Sequence, residues 1–398
     1  MKILMITPYL PYPLYSGGQI RTYNLLKNLA KKHQITLFSF VKNIDPEHIK
    51  VLSQFCQKVE VFKRRKAFSI VNLLLAGLTF YPFLVAIYYS ANLKRKIRQE
   101  LEKKKYDLIH AETFYVMPNI PKTQVPILLV EQTIEYLVYD HFVQKLQFPL
   151  SVLKLFLNFD VKKIKLWEKH FWQKAGLVVA MSASDRSVMR QLVPALAVEI
   201  IPNGIDPEFF GKMTADVDHG PQVLFVGNFS WLQNREAVYF LVHKIWPKVK
   251  KAVGKARLWI VGRNPNSQIK DLATDYEIVV DDTIEDIRSA YGQSSVLLAP
   301  IFGPGGTRFK ILEAMASGLP VVTTLKGIEG IPAKDGVHVL IGSTAAELSR
   351  LTIEILNDSQ KAQNLANNAR SLAKSEFSWA KISQSLSSLY DKVAHIST

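Results

Sequence analysis

In the stretch "GPGGTRFKILE", from Gly303 to Glu313, glycines, two cations and a glutamate stand close together. Glycines remove side chains, so backbone N–H groups approach a ligand closely. A helix beginning after such a turn adds partial positive charge, and Arg308 and Lys310 add full charges. Gly305, Gly306, Thr307, Arg308 and Lys310 together suit phosphate, and a diphosphate best. Glu313 lies a turn deeper, where a carboxylate can accept hydrogen bonds from sugar hydroxyls. On spacing alone, a Gly-rich turn with solvated cations is the alternative. The strict dinucleotide and Walker A fingerprints are absent.

The flanking sequence shows what positions this loop. "VLLAP" (296–300) reads as a strand, and "RFKILEAMAS" as a helix stopped by Gly318 and Pro320. Thr307 is expected to be its N-cap. The same strand–helix alternation runs along the whole chain. Apolar runs recur at 2–7, 34–40, 59–62, 107–110, 126–130, 177–181 and 198–202, and again at 223–227, 257–262, 277–280 and 320–324. Continuously apolar strands between helices predict parallel sheets covered on both faces. In "GQIRTYNLLKNLAKKH", Ile20, Leu25, Leu26 and Leu29 fall near one helical face. The polar stretch "GKMTADVDHGPQ" interrupts the pattern. The expected fold class is therefore α/β, with two tandem doubly wound Rossmann-like domains facing a cleft. Their expected bounds are 1–205 and 206–375, with 376–398 returning to the first domain. Ligands in such sheets bind at the carboxyl ends of the strands.

A chain of 398 residues exceeds one ordinary core. Apolar residues make up 48% and charged residues 21%, a globular balance that excludes wholesale disorder. Cys56 stands alone, so a disulfide framework within the chain is excluded and a reducing compartment is expected. The start "MKILMITPYLPYPLY" reads as a mature, cytoplasmic N-terminus rather than a signal peptide. A net charge of +16 implies an anionic partner: nucleic acid, membrane surface or phosphorylated substrate.

Beyond the residues themselves, "TRFKILEAMASGLPVVTT" followed by "GIEG" resembles the donor-site signature of the retaining group 1 (family four) glycosyltransferases of GT-B fold. "GGQIRTYNLLKNLAKKH", "IIPNGIDPEFF" and "VLFVGNFSWLQNREAVYFLVHKIWP" resemble that family's N-terminal Gly-loop, its hinge and the start of its second domain. The resemblance spans nearly the whole chain. It implies that Lys310 and Arg308 bind a nucleotide-sugar diphosphate and that Glu313 binds the ribose. Gly17 and Gly18 would approach the diphosphate from the first domain, and Asn228 and Arg263 are further donor-site candidates. It also implies transfer with retention, without a cofactor or metal. The chain departs from the pattern in three places. Gly305 stands where the family often has a glutamate. "GNFSWLQN" lacks the usual Arg–Lys pair. "HAE" places Glu112, rather than a histidine, at the strand end after His110. His110, Glu112, Glu131 and Glu135 stay open as residues acting near the sugar.

The D-x-D at 216–218 lies in the interdomain linker and reads as surface loop. The nine histidines show no metal-ligand spacing. Residues 67–93 are uncharged and lie between "KRRK" and "KRKIR". A span there would split one sheet across a bilayer, so the expectation is a buried helix–loop–helix, with a monotopic membrane surface as alternative. The basic, aromatic stretch 145–174 carries the same pair of readings. The expected function is transfer of a sugar from a nucleotide-sugar donor to a glycan or lipid-linked acceptor in polysaccharide or glycolipid synthesis, at the cytoplasmic membrane face. A sugar-nucleotide epimerase is the rival within enzymes. A nucleic-acid-binding protein is the rival outside them, and with the basic residues dispersed and no recognition motif, no nucleic-acid partner is expected.

Overall fold

The computed structural model describes residues 1–211, 220–273 and 277–396. The chain divides into two compact units, Met1–Pro202 with Ala380–Thr398, and Asn203–Trp379. The junctions thus fall at 202/203 and 379/380, against the expected 205/206 and 375/376.

The first unit is built on a seven-stranded sheet in the order β3-β2-β1-β4-β5-β6-β7. Its strands are β1 (Lys2–Thr7), β2 (Gln34–Val41), β3 (Lys58–Lys63), β4 (Leu108–Glu112), β5 (Ile127–Val130), β6 (Leu177–Ala180) and β7 (Val198–Ile200). The second sheet runs β10-β9-β8-β11-β12-β13. It comprises β8 (Gln222–Val226), β9 (Arg257–Val261), β10 (Ile278–Asp281), β11 (Val296–Ala299), β12 (Val321–Thr323) and β13 (Leu340–Ile341). Every pairing is parallel. The two-residue β13 is too short to leave a period in the sequence.

Each unit has its own core. Leu4, Ile6, Phe38, Ile109, Leu129 and Val178 anchor the first, and Val223, Phe225, Leu258, Leu297, Ile311 and Val322 the second. Strand order reverses between β1 and β4, and again between β8 and β11. Diverging connections leave a crevice at the carboxyl ends of such a strand pair, which is where open α/β sheets bind ligands. The Gly303–Arg308 turn leaves β11, and Asn228 follows β8. Glu112 ends β4.

Local chemistry explains several elements. Ser16 caps the helix Gly17–Leu29 by accepting from the Gln19 N–H. Ile20 is only half-buried on that helix, because Arg21 and Thr22 take the inner positions. The 67–93 run does form two helices, Ile70–Leu78 and Phe83–Tyr88. The second is buried as expected. The first is not: only Asn72 and Ala76 turn inward. The long helix Lys154–Lys174 likewise exposes apolar residues over its first half, so 145–174 is not simply core. Among the described residues, no helix is long and apolar enough to cross a membrane.

Candidate active site

In the second unit, the turn after β11 is shaped by Arg308. Its guanidinium donates to the Gly303 carbonyl at 2.8 Å and lies over Gly305. A Cβ on Gly305 would sit 2.1 Å from Arg308 Nη1, and Gly305 has φ of +148°. Glycine at 305 therefore makes room for the cation, at the position where the family's glutamate is missing. The helix runs Phe309–Ser317 with Arg308, not Thr307, at the N-cap and no side-chain cap. Thr307 is buried one residue earlier, and its carbonyl accepts from Asn203 Nδ2 at 3.0 Å. Ile311 and Leu312 N–H donate to the Arg308 carbonyl, while the Phe309 and Lys310 N–H groups precede the first N–H bonded within the helix and have no side-chain cap.

Lys310, half-buried, donates from Nζ to Asn234 Oδ1 at 2.8 Å and lies 4.3 Å from the Phe225 ring centroid. Burial, and then the nearby Arg308 charge, lower its pKa to about 7, while Glu313 acts the other way. An anion arriving there would favour its protonated form. Asn234 ties this lysine to the loop after β8, because its Nδ2 donates to the Asn228 carbonyl at 2.8 Å. Asn228 Oδ1 in turn accepts from Ser230 N and Asn264 Nδ2. The carbonyl of exposed Arg263 accepts from Phe229 N. Asn228 and Arg263 thereby hold the loops after β8 and β9 together. Glu313 Oε2 accepts from Tyr291 OH at 2.7 Å, leaving Oε1 without a donor among the described residues. Burial raises the Glu313 pKa, opposed by the Tyr291 hydroxyl and by Lys310.

In the first unit, β4 ends in buried polar groups. Glu112 is fully buried. Its Oε1 is 3.1 Å from His110 Nε2, and its Oε2 accepts from Gln132 Nε2 at 2.8 Å. Burial pushes its pKa up, but the hydrogen bond and charge of His110, then Arg21 and Gln132, bring it net below the usual range. His110 Nδ1 shares a hydrogen bond with Tyr390 OH, and Gln132 donates to Tyr9 OH. A Cβ on Gly18 would lie 2.4 Å from that tyrosine oxygen and 2.7 Å from Gln132 Oε1. Gly17 opens the same helix. Half-buried Tyr9 and Gln132, not Glu112, are thus the outer end of this chain.

Glu131 sits elsewhere, accepting from Trp172 Nε1 at 2.9 Å and from Phe114 N at 3.3 Å. Glu168, also buried, accepts from the Glu135 and Tyr136 amides and so caps the helix Glu135–Gln144. Burial first holds Glu131 and Glu168 well above the usual carboxylate value; repulsion from Glu135 adds to both, from Glu112 to Glu131 and from Glu131 to Glu168. Burial also raises half-buried Glu135 to about 7.

The structure therefore brings Arg308, Lys310, Glu313 and Asn228 into one cluster, and His110 and Glu112 into another. Glu131 belongs to neither. Asn234, Tyr291, Tyr9, Gln132 and Tyr390 were not anticipated. Asn234 closes the "GNFSWLQN" stretch, the others sit in no local motif, and only the fold brings all five to these partners. Among the described residues, no group of three or more His, Cys, Asp or Glu side chains is placed to hold a metal ion. The D-x-D at 216–218 lies outside the described residues.

Paired parallel α/β units with a cationic Gly-rich turn at the second switch point define a glycosyltransferase of GT-B architecture. Residues 220–358 match the family described as "Glycosyl transferases group 1", and residues 15–209 the one described as "Glycosyltransferase Family 4". The chain belongs to these group 1, family 4 glycosyltransferases. It is 22% identical to an uncharacterized 44.6 kDa protein in the cps region of Klebsiella pneumoniae, covering 97% of this chain and 98% of that one. It is 25% identical to the phosphatidyl-myo-inositol mannosyltransferase of Mycobacterium leprae over 54% of this chain and 59% of that protein. Among solved structures, Anabaena Alr3699/HepE in complex with UDP and glucose is 19% identical with a TM-score of 0.66, covering 98% and 100% of the two chains.

Proposed function

We propose that this glycosyltransferase takes a nucleotide diphosphate sugar as donor, binds it at the carboxyl ends of β8 and β11, and transfers the sugar with retention to a lipid-linked or growing polysaccharide acceptor. The observation that carries the donor assignment is the cluster of Lys310 and Glu313 at the switch point. One group gains from an approaching anion, and the other keeps a free carboxylate oxygen for hydroxyls. The Anabaena structure, which holds UDP and glucose, supports a nucleotide-sugar donor. The cps-region and phosphatidyl-inositol relatives support a polysaccharide or lipid acceptor; in this reading it is met at an anionic membrane surface on the cytoplasmic side.

In this reading, the Phe309 and Lys310 N–H groups, with the Arg308 and Lys310 side chains, neutralise charge on the departing diphosphate. Glu313 Oε1 accepts from the ribose. The Glu112–Gln132–Tyr9 chain sets which hydroxyl donors and acceptors the first unit offers to the acceptor. Because Glu112 is enclosed, its part is to orient Gln132 and His110.

A thermal-shift and calorimetric screen against nucleoside diphosphates and their sugars tests the donor assignment. A ligand at a hundredfold excess over its Kd stabilises by about 2.7 kcal/mol. No shift with any nucleotide sugar would defeat it. Turnover of the donor without any acceptor would favour epimerisation instead.

A further inference from the structure

The helix Ile70–Leu78 is inverted relative to a surface helix of a globular unit. Such helices bury an apolar stripe and expose polar residues. Here the buried side carries Asn72, which accepts from Arg65 Nε at 2.8 Å and donates to the Lys66 and Ala67 carbonyls. The outward side carries Ile70, Val71, Leu73, Leu74 and Leu78. The start of Lys154–Lys174 and the turn before it repeat the arrangement, with Phe148, Leu150, Leu155, Phe156 and Phe159 outward. Leu78 and Phe80 are 80% and 83% exposed, and Phe148 and Leu155 84% and 85%.

These two segments are bound to each other. The buried Lys163 ammonium donates to the Ala76 and Thr79 carbonyls at the end of the inverted helix, at 2.6 and 3.0 Å. Trp167 Nε1 donates to the Phe80 carbonyl, and Asp160 accepts from the Phe83 amide. The result is one continuous apolar face on the first unit. The segments that carry it hold many cations and few acids, with Asp160 engaged by the Phe83 amide. Residues 61–99 and 141–159 contain no aspartate or glutamate, while Lys63, Lys66, Lys145 and Lys162 are exposed.

We propose that the helix Ile70–Leu78 and the segment Phe148–Phe159 form one surface that inserts into the interface of an anionic lipid bilayer. The proposal rests on the lipid-linked acceptor reading for its purpose, and on the exposed face for its physics. Contiguous apolar patches of this kind mark interaction sites, and a cationic rim complements anionic headgroups. A second copy of a +16 chain would set two such rims against each other, which charge repulsion opposes. Nine helical residues span only about 14 Å, so the element lies in the interface and does not cross. The "KRRK" cluster before the helix does not face outward as a unit. Arg65 is held inward by Asn72 and by the Ala86 and Tyr89 carbonyls, and Arg64 lies over the Tyr88 ring. Attachment is therefore carried by insertion, with the lysines assisting.

Co-sedimentation of the full chain with phosphatidylglycerol-containing and pure phosphatidylcholine vesicles, at low and high salt, tests this. The wild type should bind the anionic vesicles and keep a substantial fraction bound at high salt. The pairs Leu74→Glu with Leu78→Glu, and Leu155→Glu with Phe156→Glu, should each weaken binding about tenfold or more. Both should keep the wild-type melting curve and nucleoside-diphosphate affinity. Independently, Leu78→Trp should show blue-shifted emission quenched by brominated lipid. Complete release at high salt, vesicle binding unaffected by both pairs, or no quenching would overturn the proposal. A dimer that the glutamate pairs dissociate, with no vesicle binding, would assign the face to a second copy. Vesicle binding needs neither donor nor acceptor, so failure of the glycosyltransfer reading and failure of this one are read separately.

Discussion

In the proposed donor site, Lys310 would join two otherwise separate demands, charge for a diphosphate and burial beside Phe225. Lys310→Ala should cost on the order of 1.5–3 kcal/mol of donor affinity, the range of a charge-assisted hydrogen bond. Calorimetry with the nucleotide sugar checks this, and unchanged affinity would place the phosphate elsewhere. Because its pKa in the free protein is about 7, binding of the anion should draw in a proton. Affinity should therefore weaken as pH rises above about 7, and titrations in buffers of different ionisation enthalpy should reveal the uptake. In Lys310→Ala that pH dependence should vanish. Glu135 gives a stability signature from the same cause, burial, with the shift in the opposite direction. Burial raises it from 4.5 to about 7, so its contribution to stability is fully present below 4.5 and is lost as pH rises through about 7. Glu135→Gln should flatten that part of the stability profile, relatively favouring the variant above neutral pH. Parallel denaturation profiles for the two proteins would sink the assignment.

At the scale of elements, the first helix is placed by what it cannot accommodate. Gly18 leaves no room for a methyl group against Tyr9 and Gln132, and Gln132 is a partner of Glu112. Gly18→Ala should therefore destabilise the first unit by about 1–3 kcal/mol, the range for overpacking. It should also lower kcat, because Gln132 is displaced from Glu112. Chemical denaturation and steady-state kinetics measure the two effects, and an unperturbed variant would show that the tyrosine simply swings aside. The inverted helix is positioned from below in the same way. Asn72 and Lys163 hold it by polar contacts, so its apolar residues are free to face outward.

At the scale of the molecule, the chain returns to its first unit at the end. Ala380–Thr398 belongs with Met1–Pro202, and the helix Trp379–Ile396 supplies fully buried Leu386 and Tyr390. Tyr390 meets His110, and Ser387 meets His33 at 2.8 Å. Deleting residues 380–398 should expose that core and abolish the first unit's cooperative unfolding transition. Nucleoside-diphosphate binding by the second unit should survive in part, since Lys310, Asn234, Glu313 and Tyr291 lie within Asn203–Trp379. Calorimetric melting and ligand titration of the truncated chain check both halves. An unchanged first transition would show that the terminal helix is dispensable.

The α/β class, the two units and the cationic turn were legible in the sequence because each rests on local physics. Buried parallel strands must be continuously apolar, helices between them must be periodic, and a phosphate turn must combine glycine with a helix start. Lys310 and Glu313 were visible for that reason. What only the tertiary structure decided depends on partners distant in the chain. Asn234 reaches Lys310 across 76 residues, and Tyr390 reaches His110 across 280. Whether a strand-end glutamate meets solvent is set by such partners, so Glu112 reads identically in sequence whether open or enclosed. The same holds for 67–93. An uncharged helix has the same composition buried or exposed, and it was Asn72, Arg65 and Lys163, taking the inner face with polar bonds, that turned its leucines outward.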